Sequence, residues 1–179
     1  MPQEKWLLSK LQQIIKITYE SNKECRFQDS ARAIEKFLIE DLSQTYVPIT
    51  RKEIWDDSYE TLNRRLAIYA TVSHILKILD ILIHPFSPYI TEYLYQNIFH
   101  EKKSILLENW PKVEKRFLNL ELEENFQKVL KIISVINATR MKAKLKRRWP
   151  LKLSQIIIEN PERLDKYSDL IKEQGNVKD

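Results

Sequence analysis

A single glycine, Gly175, occurs among the 179 residues of this chain. Phosphate-cradling loops, nucleophile elbows and dinucleotide-binding turns all need glycine where the backbone bends sharply or approaches a ligand. Tight β-hairpins favour it too. Those architectures are therefore excluded or strongly disfavoured, and the abundance of Leu, Ile, Lys and Glu points to helices. The lone cysteine, Cys25, rules out a disulfide framework and fits a reducing compartment. No run approaches the ~20 apolar residues of a membrane span, and MPQEKWLLSK lacks a signal-peptide core. The expectation is a soluble, cytoplasmic, all-α helical bundle with no membrane partner.

The spacing of apolar residues predicts the helices. Trp6, Leu7, Leu11, Ile14, Ile15 and Thr18 define one over 5–20, with Asn22 closing it. A second, over 29–46, is capped by Asp29 or Ser30 and buries Ile34, Phe37, Leu38, Leu42 and Thr45. Pro48 should kink or end it, with a short helical piece from Thr50 to Trp55 beyond. Leu62, Leu66, Tyr69, Val72, Leu76, Leu79 and Ile83 give the bundle spacing of a third helix, whose apolar last turns should be central. Ser87 then caps a fourth, starting at Pro88, with the stripe Ile90, Tyr93, Leu94 and Ile98. After a connector over 100–118, a long helix from Leu120 to Arg147 buries Phe126, Val129, Leu130, Ile133 and Ile136. Pro150 ends it. The β-branched run of LKLSQIIIEN suggests one strand, followed by a helix over 161–173. The expected organisation is a bundle over 1–149 and the start of a small strand-helix appendage over 150–179, truncated by the end of the chain.

The net charge of +5 is unevenly spread. Residues 140–152 (RMKAKLKRRWPLK) carry seven cations and no acid, leaving −2 for the rest of the chain. On a continuous helix Arg140, Lys144 and Arg147 would form one column and Lys142 and Lys146 a second; Arg148 and the flat aromatic Trp149 follow. Like charges at this spacing repel, and a polyphosphate backbone is their natural counterion. Trp149 suits stacking on an unpaired base. The alternative is a solvated helix end whose cations complement the helix dipole. A second cluster joins Arg51, Lys52 and Trp55 to Arg64 and Arg65. It reads either as another RNA-contacting patch or as a turn in which Trp55 fills the core and the arginines pair with Glu53, Asp56 and Asp57.

Catalysis and metal binding find no support. His74, His84, His100 and Cys25 have no ligand spacing, and no nucleophile stands beside a base. His84 reads as a capping residue, Tyr89, Tyr93 and Tyr95 as core and boundary residues, and Asp80 as a carboxylate awaiting a structural partner such as an arginine from a neighbouring helix.

Four phrases, in order, carry a family resemblance. ARAIEKFLIEDLSQTYVPITRKEIW is similar to the segment that follows the catalytic core in isoleucyl-tRNA synthetases. ILDILIHPFSPYITEYLYQNI resembles that family's Leu-rich helix and Pro-Phe-x-Pro turn. SILLENWP is similar to its Trp-Pro connector, with Leu-Leu in place of Val-His. RMKAKLKRRWPLK resembles its basic element, in the form of the archaeal and eukaryotic branch. The resemblance covers roughly 5–158. It implies an anticodon-binding domain of a class I isoleucyl-tRNA synthetase, contacting the anticodon arm of tRNA-Ile and working beside the catalytic domain of the same polypeptide. The family's HIGH-type and KMSKS-type motifs are missing, so this chain holds no cofactor of its own; ATP and Mg would belong to the parent enzyme's catalytic domain. The contact residues expected on physical grounds are Arg140, Lys142, Lys144, Lys146, Arg147, Arg148 and Trp149, then Arg51, Lys52 and Trp55. A stand-alone tRNA-binding paralogue and a helical protein-protein module remain alternatives.

Overall fold

Helix α1 (Pro2–Lys23) begins on a proline, whose fixed φ suits a first helical turn, and buries Trp6, Leu7, Leu11, Ile14, Ile15 and Thr18 as their spacing predicts. The computed structural model describes residues 1–99, 101–146, 148–151 and 164–177. They form an all-α fold of two packing units, Met1–Asn119 and Leu120–Asp179. In the first unit the connector leading to Asn119 is held against α1. The Gln12 side-chain oxygen accepts from Glu114 N at 2.7 Å, and the Ser9 hydroxyl accepts from Asn119 N at 2.8 Å.

In the first unit α2 (Phe27–Lys36) starts two residues before the expected caps, and the Arg26 guanidinium bonds Asp29 at 2.7 Å. Pro48 neither kinks nor ends the helical path. The chain passes from α2 through a π-helical segment (Phe37–Tyr46) into α3 (Val47–Ile54), right-handed at both junctions. A wider turn moves the preceding carbonyls off the proline ring, which an α-turn would press against them. The Thr45 hydroxyl donates to Glu40 O at 2.7 Å inside that turn.

Helix α4 (Leu62–Ile83) corrects the predicted stripe: Ile68, Ile75, Leu79 and Leu82 are buried, whereas Leu66, Tyr69 and Leu76 are exposed. A helix apolar on more than one side does not reveal by spacing which side its neighbours cover. By length and composition α4 could also cross a bilayer, contrary to the expectation that no stretch comes close. Here it packs with α1 and α3, and Lys77 within it pairs with Glu101.

Asp80 is 5% exposed on α4, and the predicted arginine partner is absent among the described residues; its Oδ2 has no hydrogen bond. Burial, with the charge of Glu92 nearby, pushes its carboxyl up to about 6. A raised carboxyl value means that the folded state holds the proton longer than the unfolded one. Stability therefore falls as pH rises from about 4 to about 6, and the cost of the buried charge is full above that. Asp80→Asn should raise stability at pH 7.5 by about 1 kcal/mol, within the upper limit of ~3 that the displaced carboxyl value sets. The gain should vanish near pH 4, as followed by urea denaturation; an equal gain at both pH values would contradict the assignment.

Helix α5 (Pro88–Leu94) follows Ser87 as expected and continues into a π turn (Tyr95–Phe99). Its buried face is Thr91 and Tyr95, while Tyr89 is 92% and Tyr93 66% exposed and Ile90 and Ile98 also face outward. This overturns the predicted stripe and the placing of Tyr89 and Tyr93 in the core. Thr91 is drawn inward by two hydrogen bonds, from its hydroxyl to Ser87 O at 2.9 Å and with His84 Nδ1 at 2.8 Å.

In the second unit α6 (Leu120–Lys142) buries Phe126, Val129, Ile133 and Ile136 as expected, and the edge of Tyr167 meets Phe126 at 6.1 Å between centroids. α7 (Ser168–Gly175) packs on α6. The predicted strand lies outside the described residues except for Leu151, which forms an isolated parallel bridge with Val177.

Gly175 is in the ordinary right-handed region; a Cβ there would stand 3.2 Å from both Ile136 Cδ1 and Val177 Cγ2. The sole glycine thus serves close packing. The left-handed positions that end α1, α6 and α7 fall instead to Cys25, Lys144 and Asn176.

Candidate nucleic-acid interface

Helix α6 does not run on to Arg147. It closes after Lys142 with Lys144 at φ 55°, Lys144 N–H donating to Met141 O at 3.0 Å and Leu145 N–H to Arg140 O at 2.9 Å. This paired closure is a Schellman motif whose left-handed position glycine usually fills. The predicted columns are therefore broken, and Lys144 and Lys146 lie beyond the helix end.

Arg140, expected on the solvated face, is turned inward. It is 3% exposed, and its guanidinium donates to four carbonyl oxygens: Trp149 O at 2.8 Å, Lys146 O at 3.4 Å, Gly175 O at 2.8 Å and Asn176 O at 2.9 Å. Gly175 and Asn176 end α7, where the last carbonyls carry partial negative charge. Arg140 thus braces the loop on the end of α7, helped by Leu151 N–H donating to Asn176 O at 3.0 Å. A signal for this was present: Arg140 continues the buried series Ile133, Ile136 at helical spacing, so it lies on the apolar face and not the solvated one.

What the braced loop presents is cationic. Lys142, Lys144, Lys146 and Arg148 are exposed, and Trp149 is 50% exposed with the Lys146 ammonium 6.0 Å from its ring centroid. Arg147 lies outside the described residues. A row of ammonium and guanidinium groups beside a half-exposed indole can neutralise phosphates and stack a base.

The second cluster divides. Arg64 pairs with Glu53 and Arg65 with Asp57 at 3.3 Å, partners that the alternative reading named, and Arg64 also meets Glu4, which it did not name. Trp55, however, does not fill the core; it is 78% exposed. Arg51 and Lys52 are exposed too, and Arg51 and Trp55 are four residues apart at the end of α3, so they share a face.

With that geometry in place, comparison with known proteins identifies the family. A profile described as the anticodon-binding domain of tRNA ligase matches residues 4–156. The chain belongs to that family of tRNA-binding domains. Over 99% of its length it is 32% identical to an isoleucine–tRNA ligase of Pyrococcus furiosus and 33% identical to one of Methanocella arvoryzae. Over 98% it is 32% identical to that of Thermus thermophilus. The chain spans 17% of the length of each of these relatives.

Proposed function

We propose that this chain is the anticodon-recognising part of an isoleucine–tRNA ligase and binds the anticodon arm of tRNA-Ile. In this reading the catalytic domain of the same cytoplasmic polypeptide attaches isoleucine, using ATP and Mg. The observation that carries it is the similarity to isoleucine–tRNA ligases along 99% of the chain. The exposed cations at the end of α6 and the half-exposed Trp149 supply the chemistry that such binding needs. Arginine grips phosphate bidentately or stacks on a base, and lysine acts as a point charge. Affinity of the isolated chain should be modest, because in a full-length enzyme the acceptor end would be held as well.

The test is titration of tRNA-Ile, tRNA-Val and tRNA-Leu transcripts at several salt concentrations. A preference for tRNA-Ile that disappears when its anticodon is replaced is expected. Equal affinity for all three would sink the isoleucine assignment, and no binding at low salt would sink RNA recognition. Combined Lys142→Ala, Lys146→Ala and Arg148→Ala should flatten the salt slope by about two to three. Lys144→Gly separates binding from folding. It should raise stability by about 1 kcal/mol by relieving the left-handed backbone, yet lower the salt slope by about one.

A further inference from the structure

The first unit contains a cavity of about 410 Å3 between α1 and the connector, lined by Ile15, Lys16, Tyr19 and the run Trp110 to Val113. We infer that this cavity takes one unpaired nucleobase of the bound RNA, with Lys16 and Lys112 on the phosphates flanking it. The inference rests on the RNA-binding reading above, and it adds a site remote in sequence from the basic loop.

Three features support a base as the occupant. The lining is aromatic and aliphatic, and Tyr19 is more than half exposed, so its π-face is available for stacking. The polar charges at the rim have one sign: Lys16 and Lys112 are exposed, and among the described residues no carboxylate lines the cavity. The walls are also fixed beforehand. Ile15 is fully buried, Pro111 restricts the backbone beside Trp110, and the Gln12 and Ser9 side chains hold the connector on α1. A paired base would bring its partner strand with it, so the chemistry fits a nucleotide free of a duplex.

Two measurements on the 179-residue chain test this. In a proton–nitrogen correlation spectrum the Trp110 indole resonance, assigned with Trp110→Phe, should shift saturably on titration with AMP or UMP at millimolar concentration. Tyr19→Ala with Lys16→Ala and Lys112→Ala should leave the thermal melt in place. It should weaken tRNA binding by roughly ten-fold or more and flatten the salt slope by about two. An indole resonance indifferent to both nucleotides, or a triple variant with the affinity and slope of the parent, overturns the pocket while leaving the basic loop as an RNA site. Saturation by free indole but not by nucleotides identifies a protein side chain as the occupant and also overturns it. Absence of any tRNA binding by the parent chain overturns the pocket together with the reading on which it rests.

Discussion

Arg140→Ala is expected to cost the second unit about 4 kcal/mol, the largest loss from any single replacement in the basic segment. The guanidinium is the common donor to four carbonyl oxygens from two places, the loop at Lys146 and Trp149 and the end of α7 at Gly175 and Asn176. Alanine leaves those oxygens facing a void in which water cannot restore the same fork. Hydrogen bonds to a charged donor are the stronger kind, and stranded acceptors add a desolvation cost. Lysine should recover less than half of the loss, because one ammonium cannot span the positions a planar guanidinium reaches. The measurable signs are a lower melting temperature and faster amide exchange at Asn176 and Val177, whose N–H groups close α7 on Glu173 and Lys172. Where the variant remains folded, its salt slope for tRNA should equal that of the parent. A variant with normal stability and a slope reduced by about one would return Arg140 to the RNA-contacting set.

Arg140 also shows where the sequence was legible and where it was not. Its charge is plain in the sequence; its direction is not, because a cationic run looks like one solvated helix face while the buried series Ile133, Ile136 extends one turn further to Arg140. The helix stop at Lys144 was hidden for a related reason: the left-handed position is filled by lysine, and the one glycine sits elsewhere. Helix existence and the buried stripes of α1 and α6 followed from period alone, since those helices are apolar on one side. α4 and α5 did not yield, because α4 is apolar on several sides and α5 buries a threonine through hydrogen bonds that no hydropathy pattern encodes. Trp55 stayed open between two readings, because an aromatic at a helix end reads equally well as plug or as platform; the structure exposes it. The pocket beside Trp110 depends on residues about a hundred positions apart, brought together by Gln12 and Ser9, and nothing local announces such a pairing.

In the first unit, Arg64→Met should cost about 3 kcal/mol. Arg64 on α4 meets Glu4 of α1 at 2.7 Å and Glu53 of α3 through two bonds of 2.8 Å, and the Tyr46 hydroxyl donates to the same Glu4 oxygen at 3.1 Å. Three helices and the π-helical segment thus share one guanidinium. Burial alone would lower its basicity, but the hydrogen bonds and charges of Glu53 and Glu4 hold it above the ordinary arginine value. Burial, reinforced by Glu4, likewise pushes the Tyr46 hydroxyl up, so it is a donor at neutral pH. Methionine fills much of the volume but takes the guanidinium from Glu4, which is 6% exposed and keeps the Tyr46 hydroxyl and the Met1 ammonium at 3.3 Å. The loss is then mainly the cost of a buried charge that has lost its strongest partner, and that origin can be checked. Glu4→Gln combined with Arg64→Met should be more stable than Arg64→Met alone, since glutamine still accepts from Tyr46 and carries no charge. Urea midpoints for the parent, single and double variants decide the matter. A double variant no better than the single one would mean that Arg64 contributes packing and not charge.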